Sequence, residues 1–237
     1  MIEKIRLDNI LFIDIETVPC ENNFDQLDAE MQQLWDQKTQ YQRKEEFTAE
    51  EFYDRAGIWA EFGKIVCISV GYFTTKADIR NFRVTSFFGD EVTILNDFNN
   101  LINNHFNLTQ HVLCGHNVKE FDIPFLARRM LINQIAIPQK LNLFGKKPWE
   151  IPHLDTLELW KFGDYKNFTS LKLLTKILGI PSPKGDIDGS QVGHVYYIEK
   201  DIDRIITYCE KDVIAVAQIF LRFRKEDLLI EEEIIHV

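Results

Sequence analysis

The sequence has little of what marks several large classes of protein. Its 237 residues include only four cysteines, Cys20, Cys67, Cys114 and Cys209. They are scattered, with no CxxC pair, which argues against a disulfide framework or a cysteine zinc site and predicts reduced thiols in a cytoplasmic protein. Glycine is sparse, at 11 residues. Gly145-Lys146-Lys147 lacks both the upstream glycine and the following Ser or Thr of a phosphate-cradling loop, so it reads as a basic loop. The longest apolar run, Ile65 to Phe73, falls far short of the ~18 residues a membrane span needs. The opening MIEKIRLDNI has no basic region followed by an apolar stretch, so neither export nor a membrane is expected. Positive charge is also short: 27 Lys and Arg stand against 37 Asp and Glu, a net charge of −10. Taken alone, that deficit speaks against a phosphate-rich partner, because nonspecific nucleic-acid affinity comes from Lys and Arg.

What is present is enough apolar residue, 45%, to build a substantial core, and the length suits one domain over 1–237. Ile10 to Ile15 is a short isoleucine-rich run that reads as a buried strand. From Cys20 to Gly63 the chain turns acidic, with Phe24, Leu27, Met31, Leu34 and Trp35 at helical intervals. This predicts a helical insertion, and Thr48 with Glu51 forms a capping-box pattern for a second helix within it. Strands are expected over 64–74 and 79–88, a helix over 90–106, a short strand over 112–115 and a helix over about 122–132. The stretch 154–160 is ambiguous between strand and helix. A short helix over 170–178 and a long one over about 201–224, with an apolar stripe from Ile202 to Phe220, complete a mixed sheet flanked by helices, the α/β class.

Three acidic segments stand out. Asp14 and Glu16 lie at the end of the first strand, where period-2 alternation projects both from one face. Two carboxylates at the mouth of a buried strand repel and lose hydration unless a cation neutralises them, so the pair suggests a divalent metal. Asp28 and Glu30 share the spacing, but their helical surroundings make them an ordinary solvated face. In Asn117-Val-Lys-Glu-Phe121-Asp122 the last residue reads as a helix N-cap before Pro124, a role that does not prevent it from facing a cation. In Tyr208-Cys-Glu-Lys-Asp212 the phenol and carboxylate are four apart and share one helix face, at the core edge. Tyr197 and Asp201 repeat that spacing, but Asp201 fits a cap at the start of the long helix.

In this order the three segments resemble the DEDD superfamily of 3'-5' exonucleases: FIDIETVP its first motif, NVKEFD its second and YCEKD its third. Tyr208, four residues before Asp212, is similar to the tyrosine subgroup; the histidine subgroup would need His where Thr207 stands. The wording DIET, the N-x-x-x-F-D spacing and SLKLLTKILGIPSPKGDIDGSQV are most similar to stand-alone relatives of the family B DNA polymerase proofreading domain. The resemblance runs from Ile10 to about Arg224, and the block 20–63 has no match in it.

It implies a ribonuclease H-like, DnaQ-like sheet of five strands, with Asp14, Glu16, Asp122 and Asp212 holding two Mg²⁺ or Mn²⁺ ions, which suit hard oxygen ligands. It also implies that Tyr208 hydrogen-bonds the attacking water and that nucleoside 5'-monophosphates leave from a 3' end, single-stranded DNA being the expected substrate. Thr17, through its backbone, Asn117 and Phe121 would contact the terminal nucleotide; Phe121 reads equally as a core aromatic beside Phe125. Asp155, Asp186 and Asp188 take no role, although the last two would structure their loop. An exoribonuclease of the same fold is one alternative, and a catalytically silent nucleic-acid-binding module is another. The charge also divides unevenly. Residues 20–63 carry four basic and eleven acidic residues, while 115–184 carry eleven basic and six acidic, a net of +5. The acidic total thus hides a basic central third, and the acidic insertion is expected to stay clear of the substrate or meet a protein partner.

Overall fold

The computed structural model describes residues 2–43, 46–76, 79–181 and 187–237. A mixed sheet orders its strands β5-β4-β1-β2-β3-β6, formed by β1 (Ile10–Pro19), β2 (Gly63–Lys76), β3 (Ile79–Phe88), β4 (Val112–Gly115), β5 (Leu154–Asp155) and β6 (Ile234–His236). β1 is central, antiparallel to β2 and parallel to β4, which is parallel to β5. The carboxyl ends of β1, β4 and β5 therefore share one edge of the sheet, where open α/β sheets bind ligands. The sheet has six strands where five were expected. The three-residue β6, parallel to β3, is too short for any alternation to register.

The helices are α1 (Ala29–Arg43), α2 (Glu91–His105), α3 (Asp122–Ile132), α4 (Thr156–Lys161), α5 (Leu171–Ile177), the single turn α6 (Val192–His194) and α7 (Ile202–Phe223). Alternation along β1 divides the core. Leu11, Ile13 and Ile15 pack with Phe98 of α2 and Leu126 and Met130 of α3. Ile10 and Phe12 face the other way, onto Val213, Val216 and Phe220 of α7. Phe12 meets Phe73, Phe82 and Phe220 edge-on at 5.7, 5.7 and 5.9 Å, a favoured aromatic arrangement. α7 can lie this close because β2 carries Gly71. A Cβ there would stand 2.3 Å from the Phe82 ring and 2.8 Å from Val213.

The insertion is folded around Trp35, which is fully buried against Phe52, Tyr53 and Phe62. Its ends meet: Pro19 pairs with Gly63, and the Cys20 N–H donates to the Phe62 carbonyl at 2.7 Å. The capping box forms, with Glu51 accepting from the Thr48 N–H and the Thr48 hydroxyl accepting from the Glu51 N–H. It leads into turns and a 3-10 helix, Tyr53–Ile58, in place of the expected α-helix. Gly57 bears on the shortfall: it lies so close to β1 that a Cβ there would stand 3.1 Å from the Val18 backbone, and that packing takes precedence over helix continuation.

Candidate active site

Asp14 and Glu16 continue the Phe12 face of β1, opposite Ser69 and Cys67 of β2, and a register shift follows Glu16. Above them packs α7, whose N-cap Asp201 accepts from the Arg204 N–H at 3.1 Å, as expected. The Cys209 thiol donates to Asp14 Oδ2 at 3.3 Å and to its carbonyl at 3.4 Å. The tightest grouping of ligand atoms among the described residues is Asp14, Glu16 and Cys209, all within 4.8 Å of one another. Cys209 was not anticipated. Asp122 and Asp212 stand outside that inner trio but within its field: both, with Glu16, push the Asp14 carboxyl up.

Burial and crowding push the pKa of all four acids up. Asp14 and Glu16 are raised well above the carboxylate range, first by burial and then by neighbouring negative charge. Asp212 is pushed up to about 6 by burial, against a hydrogen bond from Tyr208. Asp122 is pushed up to about 7 by burial and by Asp155, against a backbone hydrogen bond from Ile15. Among the described residues, no lysine or arginine offsets this in any of the four. The Tyr208 phenol is raised by burial and by the charges of Asp212, Glu16 and Asp14, so it stays neutral at any working pH.

Asp122 is the first residue of α3, and Phe121 occupies the cap position without a side-chain cap bond. The expected N-cap role is thus corrected: Asp122 lies one position inside the helix. The turn before it is set by Asp155, which sequence reasoning left without a role. Asp155 is 3% exposed and accepts from the Asn117 and Lys119 N–H groups at 2.9 and 3.1 Å. It also caps α4, accepting from Leu157 at 2.9 Å and Glu158 at 3.3 Å. Asn117 takes φ +64 in that turn, a conformation Asn tolerates. Gly115 lets the turn close, since a Cβ there would stand 2.6 Å from Val118.

Other expected residues divide. The Thr17 hydroxyl donates to the Gly57 carbonyl at 2.7 Å, so the acidic insertion is fastened to the end of β1. Phe121 is half-buried, 5.5 Å from the Phe125 ring. Tyr197 donates to the Pro19 carbonyl at 2.6 Å and to that of Cys20 at 2.9 Å and so secures the end of β1. Asp188 orders its loop through Ser190, as expected, and Asp186 lies outside the described residues. All four cysteines are free, and among the described residues no helix is long and apolar enough to cross a membrane.

A family model described as a predicted 3'-5' exonuclease related to the exonuclease domain of PolB matches residues 58–234. The matched range begins after β1. Among solved structures, the family B DNA polymerase of the archaeon Pyrobaculum calidifontis aligns with a TM-score of 0.54 and 14% identity. The alignment covers 90% of this chain and 24% of the polymerase, so it speaks for the fold alone and for about a quarter of that chain. No curated protein matches. With its α/β sheet and three acidic segments, the chain belongs to the family of 3'-5' exonucleases related to the exonuclease domain of PolB and is a nucleic-acid hydrolase of that family.

Proposed function

We propose that this exonuclease removes nucleoside 5'-monophosphates from the 3' end of single-stranded or frayed DNA, using two divalent cations, Mg²⁺ or Mn²⁺. The observation that carries the reading is the gathering of four carboxylates with, among the described residues, no basic partner among the groups that set their protonation. Such a cluster is costly unless cations occupy it, and its oxygen donors suit hard divalent ions. Asp14, Glu16, Asp122 and Asp212 would hold them. Bound divalent cations lower the pKa of water and stabilise charge on the leaving oxygen. Tyr208, as a neutral phenol beside Asp212, holds the attacking water by a hydrogen bond. The Thr17 backbone and Asn117 contact the terminal nucleotide, and the open part of Phe121 meets its base.

The test is stepwise shortening of 5'-labelled single-stranded DNA with Mg²⁺ or Mn²⁺, with the released mononucleotides identified by chromatography, run beside RNA and recessed duplexes. Asp14→Asn is expected to lower the rate by at least about 10²–10³-fold, the scale of losing one transition-state stabiliser. Undiminished hydrolysis in EDTA, or in that variant, would sink the mechanism.

A further inference from the structure

The loop joining α4 to α5 carries three large rings in open solvent. Phe162 is 91% exposed, Tyr165 85% and Phe168 66%. They recur every third residue, with Lys161 directly before the first and Lys166 between the second and third. The loop is built, not slack. Asp164 accepts from the Lys166 N–H at 3.0 Å and from the Asn167 side chain at 2.5 Å. Phe162 takes φ +45 as the C-cap of α4, a left-handed position where glycine is ordinary and an aromatic residue is strained. Water is a poor partner for three rings held out this way, so the arrangement calls for a ligand with flat faces.

The loop is also tied to the active site. The Thr169 carbonyl lies 2.8 Å from His116 Nε2, and the His116 and Phe168 rings are 6.5 Å apart. His116 directly precedes Asn117 and the turn that delivers Asp122. The segment 115–184, which contains the loop, carries a net charge of +5 in a chain of −10. Exposed rings with Lys161 before the first and Lys166 between the second and third suit a strand that pairs bases with phosphates, since every base offers a π-face and every linkage a negative charge.

The geometry points to the loop Phe162–Phe168 as a stacking track for the nucleotides that precede the terminal one. It grips single-stranded nucleic acid by ring-on-base contact, without reading sequence. This deepens the exonuclease reading and rests on it for the identity of the ligand.

The test is binding of a 5'-fluorescein oligothymidylate of about a dozen nucleotides by anisotropy in EDTA, where hydrolysis does not interfere. The combined variant Phe162→Ser, Tyr165→Ser, Phe168→Ser is expected to weaken binding at least about tenfold, since stacking of this kind changes affinity by about 5- to 150-fold per ring. Tyr165→Phe keeps a ring and should bind like the parent. An oligomer with abasic sites should bind the parent more weakly, while the combined variant should no longer distinguish it from the intact strand. Thermal melting checks the fold; if the combined variant melts early, the single Ser variants replace it. Unchanged affinity, or continued discrimination of the abasic strand, overturns the track and leaves the rings to a protein partner. Ring-dependent binding without metal-dependent hydrolysis would instead overturn the exonuclease reading and spare the track.

Discussion

Replacing Asp155 with Asn tests how the second acidic segment is held. Oδ1 of Asp155 serves the N–H groups of Asn117, Leu157 and Glu158, and Oδ2 serves that of Lys119 alone. An Asn amide that keeps its carbonyl toward the three donors sets its own NH₂ against the Lys119 N–H. The α4 cap survives and one bond to the turn before Asp122 is lost, leaving a part-buried donor facing another donor, at a cost of about 1 kcal/mol. For a chain of this size that lowers the melting temperature by about 2–4 °C per kcal/mol. The effect on function should be larger. Outer supports of metal ligands typically change metal affinity or activity by about 10–100-fold, so the Mn²⁺ concentration for half-maximal hydrolysis should rise by that order. Asp155→Ala removes the cap as well and should lose more stability for a similar shift in metal dependence. Melting curves and metal titrations of single-strand cleavage measure both. If Asp155→Asn melts lower yet keeps the parent's metal midpoint and rate, Asp155 supports the fold alone and the positioning argument fails.

Two other outcomes concern pH and metal removal. His153 is buried, accepting from the Leu113 N–H through Nδ1 and donating through Nε2 to the Lys140 carbonyl, and burial lowers its pKa to about 4. Its contribution is complete above the ordinary value near 6.5 and is lost as pH falls toward 4, by about 3 kcal/mol; denaturant melts of His153→Gln should have a shallower acid slope, and an unchanged slope would refute this. In EDTA, Asp122, raised to about 7, carries a penalty that is absent below about pH 4 and grows as pH rises through 7, to on the order of 4 kcal/mol. The metal-free protein should therefore melt lower at pH 8 than at pH 5, Asp122→Asn should melt above it at pH 8, and Mn²⁺ should rescue the parent more than the variant; a variant less stable at pH 8 would contradict the account.

What could be read from the sequence follows how local each feature is. Asp14 and Glu16 were legible because strand alternation alone puts them on one face, and Tyr208 and Asp212 because one helical turn joins them. Asp155 was not, since its partners lie 36 and 38 positions away and only the β4–β5 pairing brings them near. Cys209 meets Asp14 across 195 positions, and as a lone thiol in an apolar stripe it looked like core. The strand β6 is three residues in a tail with no alternation to register. Within the insertion, the capping box correctly marked a chain reversal but not its continuation, which Val18 decides by its packing against Gly57.

The closure of the insertion has a topological consequence. β1 and β2 are antiparallel neighbours whose ends pair at Pro19 and Gly63, so residues 20–62 form a side loop whose two ends meet, held besides by the Thr17 bond to the Gly57 carbonyl and by Arg129, which donates to the Ala60 carbonyl at 2.8 Å. Such a loop can be excised and the ends rejoined by a tight turn without changing the register of any strand. Loop-closure entropy varies only slowly with length, by about 0.6 kcal/mol per doubling, so the shortened sheet gains little from the deletion itself. What changes is the flank of β1, where Thr17 would trade the Gly57 carbonyl for water and Val18 would lose its cover. The insertion is in this sense a graft: built around Trp35, set on the strand that carries Asp14 and Glu16, and keyed into the main core by Ala60.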